Sequence, residues 1–188
     1  NLYINGKLLE GELIIPDNVT SIGDDAFYSC DSLESVVIPY SVTTIGNSAF
    51  YDCIYLVSLT ISDGVTVIGN SAFEGCERIK SIIIPDSVKS ISESTFAFCY
   101  SLSHVVIGKG MKSISNNAFN SCGSLTDVYY NGTEEEWNNV SIGDNNTPLL
   151  NATIHFHYHS YDSEITTPAT HTSEGAMTFT CSCGDNYT

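Results

Sequence analysis

The sequence predicts a repeat solenoid: a stack of parallel β-strands with short helical turns, mainly β, closed by a C-terminal cap. Three observations predict it. Phe27, Phe50, Phe73, Phe96 and Phe119 are each 23 residues apart, as are Cys30, Cys53, Cys76, Cys99 and Cys122, and Ile22, Ile45, Ile68, Ile91 and Ile114. An exact period without insertion makes each copy one structural unit stacked on the last. Within each period the pairs Val36/Ile38, Leu59/Ile61, Ile82/Ile84 and Val105/Ile107 alternate with a spacing of two, which marks a strand with one inward face. Finally, one such unit has too few inward apolar side chains to offset its own ordering, so neighbours must share strand hydrogen bonds and cover each other's faces.

Each element follows in order. Residues 1–10 alternate apolar and polar positions and turn at Asn5-Gly6, which predicts an opening strand or the remnant of an upstream repeat. Within a repeat, Pro39 or Pro85 ends the first strand, because proline donates no ladder hydrogen bond. A second short extended piece follows, Val42-Thr43-Thr44-Ile45 in the clearest copy, and Gly23, Gly46 and Gly69 then turn the chain. Asp24, Asn47, Asn70 and Asn116 come next, suited to capping a single helical turn that carries Ala-Phe inward. Five full repeats fill a solenoid over residues 1–131. After Tyr130 the Ala-Phe-x-x-Cys pattern does not return. Thr133 with Glu136 forms a capping box, and Thr153 to Tyr158 reads as a strand, so 132–158 is expected to cap the stack. Residues 159–188 are rich in Ser, Thr and Asp and read as a partial β-module or a flexible tail.

The repeat, Leu-x-x-Val-x-Ile-Pro-x-Ser-Val-x-x-Ile-Gly-x-x-Ala-Phe-x-x-Cys, resembles the BspA-like class of leucine-rich repeats over about Leu9 to Leu125. Ser62 and Gly108 depart from it at the proline position, Thr95 at the alanine position and Glu10 at a leucine position. The resemblance implies a secreted or cell-surface protein of gut or oral bacteria, or of parasitic protists, that adheres to host or microbial proteins without catalysis. The tail from His159 resembles a β-module that follows such arrays, although Cys181 and Cys183 are spaced Cys-x-Cys and His171 stands where that module has a cysteine.

Charge and chemistry narrow the function. The chain carries 22 acidic and 6 basic residues, a net charge of −16, which repels phosphate backbones and argues against a nucleic-acid partner. Apolar runs are only a few residues long, so no membrane span is expected; the absence of a leader before Asn1 is read as a fragment or a processed chain. The cysteines number seven, an odd count, and the five in the repeat column lie where a buried small hydrophobe is wanted, so free thiols are expected. No phosphate loop, nucleophile elbow or His-Glu-x-x-His is present, and neither catalytic residues nor a cofactor is expected. His155, His157 and His159 fall on one side of a continued strand, and with Cys181, Cys183 and His171 leave a zinc site open beside a plain polar strand face.

The outward strand positions are the candidate site. One column reads Ile14, Val37, Thr60, Ile83, Val106 and Tyr129; the other reads Glu12, Ser35, Ser58, Ser81, His104 and Asp127; Lys80 borders them as a local positive charge. An aliphatic outward column is not needed for a core, and it suits a binding stripe for a protein or glycoprotein. The expected function is therefore a monomeric, extracellular or cell-surface binding module. The alternative is a structural spacer within a longer surface protein.

Overall fold

In the computed structural model, residues 11–156 are described throughout, together with four two-residue strands: β1 (Tyr3–Ile4), β2 (Lys7–Leu8), β16 (Phe179–Thr180) and β17 (Asn186–Tyr187). β1 and β2 pair antiparallel, Tyr3 opposite Leu8 and Ile4 opposite Lys7, as do β16 and β17. His157, His159, His171, Cys181 and Cys183 lie outside the described residues.

The alternating residues of each period form one parallel strand per coil: β3 (Gly11–Ile14), β5 (Leu33–Ile38), β7 (Ser58–Ile61), β9 (Ser81–Ile84), β11 (His104–Ile107), β13 (Asp127–Tyr130) and β15 (Thr153–Phe156). Pairing stays in phase, Val36 with Leu59 and Ile82 with Val105, because a slip of one residue would turn the aliphatic set outward. A second face is built from β4 (Ser21–Ile22), β6 (Thr44–Ile45), β8 (Val67–Ile68), β10 (Ser90–Ile91), β12 (Ser113–Ile114) and β14 (Ser141–Ile142).

The third side differs from expectation. Instead of a helical turn it holds a run of tight turns: Ala26, Tyr28 and Cys30 donate to carbonyls three residues back, while Asp25, Phe27 and Ser29 donate to Asn47, Ala49 and Tyr51 of the next coil. Alternate amides thus knit the coils, which an α-helix, using every amide internally, could not do. Nor does the Asp/Asn column cap its own turn. Asp24 Oδ1 accepts from Asn47 N at 2.7 Å, Asn47 Oδ1 from Asn70 N at 2.9 Å, and Asn70 Oδ1 from Glu93 N at 3.2 Å, so each side chain satisfies an amide of the coil above.

Inside, the column of phenylalanines stacks ring on ring with centroids 4.9, 5.3, 5.6 and 5.5 Å apart. The five repeat cysteines are free and buried. Cys53, Cys76, Cys99 and Cys122 donate their thiol protons to the carbonyls of Phe27, Phe50, Phe73 and Phe96 at 3.1 to 3.3 Å.

Past the last repeat the stack continues as a longer coil. β14 pairs with β12 at an offset of 28 residues and β15 with β13 at an offset of 26, rather than 23. The extra length is taken up where α1 (Glu134–Asn138) sits, closed by the Thr133/Glu136 capping box, with Trp137 tilted on buried Tyr130 at 5.2 Å. α2 (Thr147–Asn151) follows. Asn146 replaces the repeat alanine: buried, its Oδ1 accepts from Phe119 N at 3.0 Å and its Nδ2 donates to Ser115 and Gly143 carbonyls at 2.9 Å. In the coil before, the equivalent amide of Phe96 goes to a backbone carbonyl, that of Ala118.

One boundary is different. β7 and β9 adjoin but form no ladder, nor do β8 and β10, so each face is two sheets, β3-β5-β7 and β9-β11-β13-β15 on one, β4-β6-β8 and β10-β12-β14 on the other. Pro85 removes the amide that Gly108, one coil on, gives to Ile84. Hydroxyls cross instead, Ser92 Oγ to the Ile68 carbonyl at 2.6 Å and Ser87 Oγ to that of Val65 at 2.5 Å. On the turn side the amides of Ser71, Phe73 and Gly75 still reach Glu93, Thr95 and Ala97 at 2.9 Å.

Candidate functional site

The pleat sends Leu13, Val36, Leu59, Ile82, Val105 and Val128 into the core and their neighbours outward. Register then lines Ile14 up with Val37, Val37 with Thr60, Ile83 with Val106, and Val106 with Tyr129. The column is interrupted between Thr60 and Ile83, where the ladder lapses. Ile14 is 64% exposed, whereas Val37, Thr60, Ile83, Val106 and Tyr129 are half-buried against one another. Lys80 is exposed just before β9.

The structure extends this face by one strand and adds polar chemistry to it. His155 of β15 lies opposite Tyr129, and the two rings stack at 4.6 Å. His155 Nε2 meets Asp127 Oδ1 at 2.8 Å, and His104 Nε2 lies 3.8 Å from Asp127 Oδ2. Thr126 Oγ1 donates to Asp127 Oδ2 at 2.7 Å. The hydrogen bond from His155, then that from Thr126, holds the Asp127 carboxyl below its ordinary value. His104 is exposed, with Ser103 Oγ 2.7 Å from its Nδ1. Sequence reading placed Asp127 outward but missed its partner, because the longer last coil has no motif to set the 26-residue offset of β15 from β13. Among the described residues no cluster of three metal-ligating side chains could hold an ion. An open cleft of about 370 Å³ between Asn120–Gly123 and α2 has no ionisable lining residue apart from Cys122, whose thiol burial pushes up to about 12.

Among the described residues no helix is long and apolar enough to cross a membrane. Comparison with functionally curated proteins gives no match. A leucine rich cell surface protein of Faecalibacterium prausnitzii is 36% identical over 69% of this chain and 34% of that one, with a TM-score of 0.67. The chain therefore spans about a third of that relative's length. The T. pallidum leucine rich repeat protein is 29% identical over 71% of this chain and 69% of that one, TM-score 0.61. A leucine-rich repeat protein of Bacteroides ovatus is 25% identical over 81% and 43%, TM-score 0.58. Residues 8–126 match the model of the BspA type leucine rich repeat region in six copies. With its unbroken period, its phenylalanine stack and this match over more than half its length, the chain belongs to the BspA-type leucine-rich repeat family.

Proposed function

We propose that the chain is a non-catalytic binding module of a secreted or cell-surface protein, holding a protein or glycoprotein on the outward strand face around Ile83 and Val106. The observation that carries this reading is the outward aliphatic column, which the core does not need. Its residues recur once per coil on the outward strand face, with Lys80 beside Ile83 on a body of net charge −16. Interfaces are anchored by such apolar residues inside a polar rim, here His104, Asp127 and His155. The F. prausnitzii relative, described as a leucine rich cell surface protein, supports this location.

The test is a pull-down with matrix glycoproteins and mucins, followed by affinity measurement. Replacing Ile83 and Val106 together by Ser is expected to weaken binding about tenfold, or about 1.4 kcal/mol, while lowering the melting temperature only slightly. Unchanged affinity would move the site off this face. Capture of no ligand at all would favour a spacer.

A further inference from the structure

On the turn side, away from the strand face, tyrosines occupy successive coils at one position. Tyr28 and Tyr51 stack with centroids 4.8 Å apart and planes 7° from parallel, and Tyr28 remains 50% exposed. Glu74 takes the same position one coil further on. Asp52 N donates to the Glu74 carbonyl at 2.8 Å, which sets the two acidic residues side by side. The Asp52 carboxylate lies over the Cα of Gly75, where φ is +73° and a Cβ would collide with Asp52 Oδ1. Glycine at 75 therefore leaves the room in which Asp52 sits beside Glu74.

Among the described residues neither carboxylate has an ion-pair partner and no cation covers the Tyr28–Tyr51 pair. The field is felt at the ring: Glu74 foremost, with burial, Asp52 and Tyr28 behind it, holds the Tyr51 phenol above its ordinary value. Four residues beyond Tyr51, past the cysteine turn, another tyrosine ring already holds a cation from the next coil. The Arg78 guanidinium lies 4.5 Å above the Tyr55 ring, drawn to the negative face of the aromatic system.

We propose that the Tyr28–Tyr51 pair, with Asp52 and Glu74, docks a lysine- and arginine-rich polypeptide segment, its cations lying on the rings and paired with the two carboxylates. Charge complementarity selects this occupant. A second copy of the chain, at −16, is repelled, and so is a nucleic acid. The site is independent of the strand face, so either can fail alone.

The test uses the whole chain and a fluorescein-labelled octa-arginine peptide, with octa-glutamate as control, in about 0.15 M salt to screen distant charges. Binding of octa-arginine is expected to fall about tenfold in the double variant Tyr28→Ser/Tyr51→Ser. It is expected to fall comparably in Asp52→Asn/Glu74→Gln and to persist in Tyr51→Phe, which keeps the ring. Glu12→Gln/Asp17→Asn, which removes two acids elsewhere, should have a much smaller effect. If the serine variant does not fold, Tyr51→Phe and the carboxylate pair decide. Loss in proportion to net charge alone, with no dependence on the tyrosines, would overturn the proposal. So would no binding by the parent chain, or tyrosine-dependent binding of a neutral glycan on an array in place of the peptide.

Discussion

Cys53, Cys76, Cys99 and Cys122 act as small buried groups whose one proton goes to a phenylalanine carbonyl in the coil before. Burial raises their thiols, to about 12 for Cys53 and Cys122, so almost no thiolate exists near neutral pH. Cys30, at the first repeat and without that bond, is raised less. Iodoacetamide without denaturant is expected to modify Cys30 first and leave the other four, with denaturant alone restoring their labelling; mass spectrometry that finds Cys76 labelled as fast as Cys30 would contradict this. Asp127 gives a pH signature of the opposite sign. A carboxyl held low in the folded state stabilises above its ordinary value of about 3.9, and that contribution is lost as pH falls through the folded value. Asp127→Asn should therefore melt below the parent chain at pH 6, and the gap should close towards pH 3. A gap constant across that range would mean the His155 contact contributes nothing through ionisation.

At the scale of the element, the phenylalanine column predicts a gradient along the stack. Phe73 is fully buried between two rings, so Phe73→Ala is expected to cost about 3–5 kcal/mol through the cavity it opens. Phe27 has a ring on one side only and is half-buried, so Phe27→Ala should cost less. Equal losses in urea melts would contradict a stack that carries its energy between neighbours. The inward strand residues, the phenylalanines and the cysteines were legible because burial imposes them once per coil. The turn side was not. Asp24, Asn47 and Asn70 have the right chemistry for a local cap, and only the neighbouring coil's amide, 23 residues away, shows where their oxygens go. Asn146 escaped for a similar reason: nothing local marks it as the group that meets Phe119 N. On the candidate face, Ile83 and Val106 were placed correctly by period, whereas the link of His155 to Asp127 needed the unreadable offset of the last coil.

The molecule as a whole is less uniform than its sequence. Five nearly identical repeats read as one continuous ladder, yet the strand pairing lapses between β7 and β9 and between β8 and β10. The amides of Lys112 and Ser115 donate to Lys89 and Ile91 carbonyls at 2.8 and 2.9 Å, and the amides one coil earlier, Lys89 and Ser92, have no such backbone bond. Hydrogen exchange is expected to be faster at Lys89 and Ser92 than at Lys112 and Ser115; matching rates would mean the boundary is sealed in solution. The turn-side amides and the Phe73–Phe96 stack still cross that plane, so the two halves are joined along one edge and only lightly fastened along the other two. Such a body has a crease. Pulled or bent, it should open like a book along Thr60 and Ile83 before any coil unravels. Anything gripping residues on both pages would stiffen the spine.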